Sequence, residues 1–117
     1  FPDAVRIIRA PFEEAGTRIS ITPDDAIVIM TRGHQGDFVV LEQMLRTQAG
    51  YIGVIGSRHK IAATNRRLIE AGIPETALGR IHTPIGLDIG AETPAEIAIS
   101  IAAELIAHRA QSLKEAL

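Results

Sequence analysis

Apolar positions along the chain alternate between short unbroken runs and stretches at helical spacing. Ala26 to Thr31 (AIVIMT) is a continuous apolar run rich in β-branched residues. That is the pattern of a strand covered on both faces, as in a parallel sheet. Tyr51 to Gly56 (YIGVIG) repeats it. Between the two runs, Val39, Val40 and Met44, with Phe38 and Leu41 and then Leu45, keep helical spacing. Asp37 stands where an N-cap carboxylate would accept an orphan amide. Strand, helix and strand over so short an interval predict a right-handed βαβ unit.

The segment SRHKIAATNRRLIEAG predicts a second helix, with Ser57 as its cap and Ile61, Leu68 and Ile69 as its inner face. Gly72 and Pro74 end it. A further helical turn is expected over PETALGRI, a short strand over IHTPI, and a glycine-punctuated loop over GLDIGAE. Upstream, Val5 to Ile8 reads as a short strand, and PFEEAGTRISITPDD as a connection with at most one helical turn. The last helix has the clearest start. Thr93 is the N-cap, Pro94 the first helical residue and Glu96 the reciprocal partner, which together make a capping box. Along it Glu96, Ser100, Glu104 and His108 recur every four residues, and all between them is apolar or alanine. So narrow a polar stripe predicts a helix buried around most of its circumference, against the sheet and against another layer or a second subunit.

This alternation predicts an α/β fold: a Rossmann-like parallel sheet with flanking helices, residues 1–117 forming one domain. No G-x-G-x-x-G turn occurs, so the first glycine-rich βα unit of such a fold is not in this chain. Composition adds exclusions. A net charge of -2, with three phenylalanines, one tyrosine and no tryptophan, offers neither a basic face nor stacking platforms for nucleic acid. Without cysteine the chain supplies no disulfide, thiolate ligand or thiol nucleophile. Neither a secretory signal nor a membrane span is visible, and a cytoplasmic location is expected.

In an open parallel sheet, ligands bind beyond the carboxyl ends of the strands. The loops expected there are TRGHQGD, GSRHK and TPIGLDIGAETP, the segments richest in glycine and functional side chains. Gly53 and Gly56 permit close backbone approach, and Ser57 opens a helix whose first amides are free. Arg58 and Lys60 oppose the dipole there unless an anion compensates them. A tight turn with solvated charges is the plainer reading; Arg32 on the neighbouring loop favours the anion. Thr31, Pro84 and Gly86 belong to the same rim. His34 and Asp37 offer a ligand or acid/base pair, although their spacing matches no standard metal motif. Asp88 either closes an Asx-turn or accepts two hydrogen bonds from the edge of a heterocycle. His82 lies near the rim or in the core, and His59 and His108 read as helix-surface residues.

VIMTRGHQGD, YIGVIGSRHK and RIHTPIGLDIGAETPAEIAISIAAELIA together resemble the Rossmann domain of the xanthine dehydrogenase accessory (XdhC/CoxI) family. The resemblance implies binding of the molybdenum cofactor, a pyranopterin, during exchange of an oxo ligand for sulfido, and its delivery to a molybdenum hydroxylase apo-enzyme. It implies a cysteine desulfurase as sulfur donor, and a carrier rather than an enzyme. Mapped onto the rim, Ser57 with Arg58, Lys60 or Arg32 would hold the phosphate end, and Asp88 or Asp37 the amino-pyrimidine edge. Two other readings stand beside it. One is an oxidoreductase domain for NAD(P) or a flavin; the other is a dimerisation module built on the last helix, in keeping with an expected homo-oligomer.

Overall fold

The computed structural model describes residues 3–56 and 58–116, and at positions 34 and 58–60 the backbone only. Three strands, β1 (Ala26–Ile29), β2 (Tyr51–Val54) and β3 (Ile81–His82), form one parallel sheet in the order β1-β2-β3. Ala26 stands opposite Tyr51 and Ile29 opposite Val54, while Gly53 stands opposite His82. The helices are α1 (Ala15–Arg18), α2 (His34–Leu45), α3 (Arg58–Glu70) and α4 (Pro94–Ala116), with short 3-10 turns at Phe12–Glu14 and Glu75–Arg80. The parallel sheet with flanking helices is the α/β arrangement expected from the sequence.

Strand parity divides the sheet into two unlike faces. Ile29, Ile52 and Val54 join Leu41, Met44, Leu45, Leu68 and Ile73 in the main apolar core. The other face presents Tyr51 and Gly53, with His82 beside Gly53, to α4. Arg80 ties the ends of these elements together. Its guanidinium donates to the carbonyls of Leu45 (3.1 Å), Thr47 (3.2 Å) and Ala49 (2.7 Å), oxygens that the end of α2 and the entry to β2 would otherwise leave unpaired. The end of α3 is a Schellman turn: Gly72, at φ +94°, donates to Ile69, and Ile73 donates to Leu68.

Four expectations fail. Val5 to Ile8 is not a strand; among the described residues nothing pairs with it, and Val5 is fully exposed. Among the described residues β1 has one strand neighbour, and its faces are half-covered rather than sealed: Ala26 is exposed, Ile27 and Val28 are half-buried and Ile29 is buried. Ile69 points away from the core and Leu68 alone fills that turn.

The fourth failure is α4. Its start is as read: the Glu96 amide donates to Thr93 Oγ1 (3.1 Å), and Glu96 Oε1 accepts from Glu92 and Thr93. Those two amides hold the Glu96 carboxyl below its ordinary pKa. Beyond the cap, the helix is turned over. Ser100, Glu104 and His108 face the sheet, while Ile99, Ile106 and Leu113 are each more than half exposed. In a single chain, therefore, the polar stripe is the covered side of α4, and the apolar side is left outward, where another layer or a second subunit would sit.

Candidate functional site

Beyond the carboxyl ends of β2 and β3 lies an open groove of about 510 Å³. Ile55 and Gly56 form one wall, and the loop from Pro84 to Ala91 the other; Ile97 and Ser100 of α4 close the back. Four residues singled out from the sequence, Gly56, Pro84, Gly86 and Asp88, stand on these walls together. A Cβ added to Gly56 or Gly90 would meet nothing within 4 Å, so both leave room inside. Among the described residues Asp88 makes no hydrogen bond and is exposed, so the Asx-turn reading fails and its carboxylate is free.

The loop is held from beneath. Leu87 donates to the Ser100 carbonyl (3.1 Å), and Gly86 donates to Glu104 Oε2 (2.9 Å). The same oxygen accepts the Tyr51 hydroxyl. Gly86 has φ +95°, and a Cβ there would collide with Ser100 Oγ. Gly53 serves differently: a side chain there would collide with Ile85 and come within 2.7 Å of Tyr51 Oη. Without one, the phenol passes across β2 to reach Glu104.

Around Tyr51 lies a ring cluster that the sequence reading missed. Tyr51 and His82 stack with centroids 4.4 Å apart, and His108 meets both edge-on at 5.4 and 5.5 Å. His108 is therefore not a free surface residue beside a helix end, since α4 runs two turns past it. Burial, then the hydrogen bond to Glu104 and its charge, push the Tyr51 phenol above its ordinary range. Burial lowers His82; Glu104 opposes that and His108 adds to it. The four-residue recurrence of Ser100, Glu104 and His108 was the available signal, but its direction was not.

The loop after β1 is a separate wall. Asp37 is not an N-cap: α2 begins at His34 behind an extended Gly33, and Asp37 lies within its first turn. Its Oδ1 accepts the Thr31 amide (3.2 Å) and lies 2.6 Å from the Thr31 hydroxyl, which also has the Gly33 carbonyl within reach (2.7 Å). Asp37 and Gly56 border a cavity of about 20 Å³, roughly the space of one water molecule. Asp37, Gly56 and Asp88 thus follow one another along one rim through shared cavities, with Arg32 exposed beside Thr31. Ser57 and the side chains of His34, Arg58 and Lys60 lie outside the described residues. Among those described, no group of three or more metal-ligating side chains occurs, and no helix is long and apolar enough to cross a membrane.

Residues 1–105 match the model of the XdhC Rossmann domain. The chain is 36% identical over 107 residues to the uncharacterized protein YqeB of Escherichia coli K12, covering 91% of this chain and 19% of that one. It is 34% identical over 109 residues to a probable xanthine dehydrogenase component of Bacillus subtilis 168, covering 93% and 31%. A crystal structure of a xanthine dehydrogenase from Bacillus halodurans superposes with a TM-score of 0.74 at 38% identity, over 95% of this chain and 31% of that one. The chain thus spans between a fifth and a third of the length of these relatives. A parallel sheet, a glycine-walled groove at its carboxyl edge and a match over nearly the whole sequence agree: the chain belongs to the XdhC Rossmann-domain family.

Proposed function

We propose that this chain is the cofactor-holding domain of a protein that serves the maturation of a xanthine dehydrogenase-type molybdenum hydroxylase. In this reading it binds the molybdenum cofactor while an oxo ligand is replaced by sulfido, and passes it to the apo-enzyme. The observation that carries the reading is the groove: of cofactor size, largely apolar, walled by glycines, with a carboxylate at Asp88 that is unpaired among the described residues. Such a carboxylate suits the paired N–H donors of an amino-pyrimidine, and Gly56 and Gly90 leave space for a flat ring system. Arg32, and Arg58 and Lys60 at the start of α3, would supply charge for a phosphate end. The chemistry at molybdenum belongs to the cofactor; the chain's residues bind, orient and shield. This chain has no cysteine, so a persulfide relay from the desulfurase would run through a partner or through a part of the protein outside this chain.

The test is anaerobic purification of the protein followed by molybdenum analysis and pterin fluorescence. Bound molybdenum and pterin are expected, reduced in Arg58→Ala and Asp88→Ala variants that keep wild-type circular dichroism. Absence of both from the wild type, or undiminished content in both variants, would overturn the proposal. Submillimolar NAD(P) affinity with turnover would favour the oxidoreductase reading instead.

The outward residues of α4 support a homo-oligomer as a second, compatible reading. Ile106→Glu is the informative probe on size exclusion. Glu104 faces inward and would report on folding instead.

A further inference from the structure

We infer that Glu104 is a positioning residue for the groove: one carboxylate oxygen fixes the wall that carries Asp88 to the body of the sheet. The inference rests on the groove being the binding site proposed above. Three observations carry it. Glu104 Oε2 accepts from Gly86 and from Tyr51, so a single atom joins the loop, β2 and α4. The attachment falls two residues before Asp88, at a glycine whose positive φ and contact with Ser100 admit no side chain. The loop's other ties also lie before Asp88: the Thr83 hydroxyl to the Val54 carbonyl (3.3 Å) and the Leu87 amide to the Ser100 carbonyl. From Asp88 to Ala91, no hydrogen bond among the described residues holds the wall, and the direction of the Asp88 carboxylate is inherited from the attachments at Gly86, to Glu104, and at Leu87, to the α4 backbone.

Glu104 is also the acidic group set against the ring cluster of Tyr51, His82 and His108. A carboxylate is suited to this place because both donors approach one atom, and a charged acceptor holds two donors at short distance better than a neutral one. Its amide, Gln, retains an oxygen that accepts both donors. Alanine retains none.

The experiment is amide hydrogen exchange on the protein, following the Gly86 and Leu87 amides in wild type, Glu104→Gln, Glu104→Ala and Tyr51→Phe. Global stability is measured in parallel by urea unfolding. In Glu104→Ala these amides should exchange roughly tenfold faster, beyond any change in global stability, and in Glu104→Gln within about threefold of wild type. Tyr51→Phe should leave the Gly86 amide protected. The second arm uses molybdenum cofactor released from a purified molybdoenzyme: its dissociation constant should rise roughly tenfold in Glu104→Ala and recover in Glu104→Gln. Unchanged exchange in Glu104→Ala would overturn the inference, as would faster exchange with unchanged affinity. If the wild type takes up no cofactor, the proposed function fails, while the exchange arm still decides whether Glu104 holds the loop.

Discussion

Replacing Gly86 by alanine tests the close approach of the groove loop to α4. Two separate costs meet at this residue. Its φ of +95° is a conformation that side-chain-bearing residues adopt only under constraint, at about 1–3 kcal/mol. The added Cβ would also overlap Ser100 Oγ and stand 3.2 Å from the Ser100 Cβ and carbonyl carbon. The hydroxyl can swing away only by giving up its bond to the Ile97 carbonyl (2.8 Å), and the carbonyl carbon moves only with the helix. Crowding of this kind costs about 1–3 kcal/mol. The loop escapes both by lifting from α4, which sacrifices the Gly86–Glu104 bond instead. Together these bound the loss at about 2–6 kcal/mol, a large part of a stability of about 5–15 kcal/mol usual for a domain of this size.

Two other glycines separate the contributions. Gly90, at φ +73° with nothing within 4 Å of an added Cβ, isolates the backbone cost, about 1–2 kcal/mol. Gly56 has neither constraint, and Gly56→Ala should stay within about 0.5 kcal/mol of wild type. Urea unfolding followed by circular dichroism measures all three, with a common slope expected. Ser100→Ala added to Gly86→Ala should recover about 1 kcal/mol, since it deletes the atom in deepest overlap and leaves the other two. A Gly86→Ala loss no greater than that of Gly90→Ala would refute the close approach of loop and helix.

Arg80→Met should cost about 2–4 kcal/mol in urea unfolding, because it strands three carbonyls at once; Arg80→Lys should recover only part, since an ammonium does not span all three. Asp37→Ala should cost about 1–2 kcal/mol and raise exchange at the Thr31 amide, whereas Asp37→Asn, which keeps the accepting oxygen, should sit nearer wild type. For His82 the folded pKa lies below the ordinary imidazole value of 6.5, so below that pH the unfolded chain binds the proton better. Stability should therefore fall as pH drops from 6.5 towards the folded pKa. His82→Phe, which keeps a ring against Tyr51, should lose less between about pH 7.5 and 5.5 than wild type; an equal loss would refute the assignment.

Local signals carried much of the fold. The capping box of Thr93 and Glu96 and the glycine stop at Gly72 depend on neighbours in sequence, and both were readable. So were the apolar runs of β1 and β2, since a sheet flanked by helices demands them. What failed depended on partners far along the chain. Asp37 serves equally well as a cap or as an acceptor turned back to Thr31, and only the observed start of α2 decides between them. Arg80 belongs to no motif; its three acceptors lie 31 to 35 residues away. For α4, periodicity defined two stripes but not which one meets the sheet. That choice was made by Tyr51, 53 residues from Glu104, whose hydroxyl needs an acceptor where it crosses β2. The rim of the candidate site was foreseen from topology, because Gly56, Gly86 and Asp88 sit in strand-to-helix loops. Its support by Glu104 was not.

The orientation of α4 reverses the usual expectation for mutational tolerance. Judged by folding stability, a scan along this helix should find the isoleucines at 99 and 106 and the leucine at 113 forgiving of polar replacement, and Ser100, Glu104 and His108 unforgiving. Polar replacement at the greasy positions would therefore spare the fold of one chain and report on its assembly. Those inclined to trim surface charge would remove the joint that keeps the helix seated.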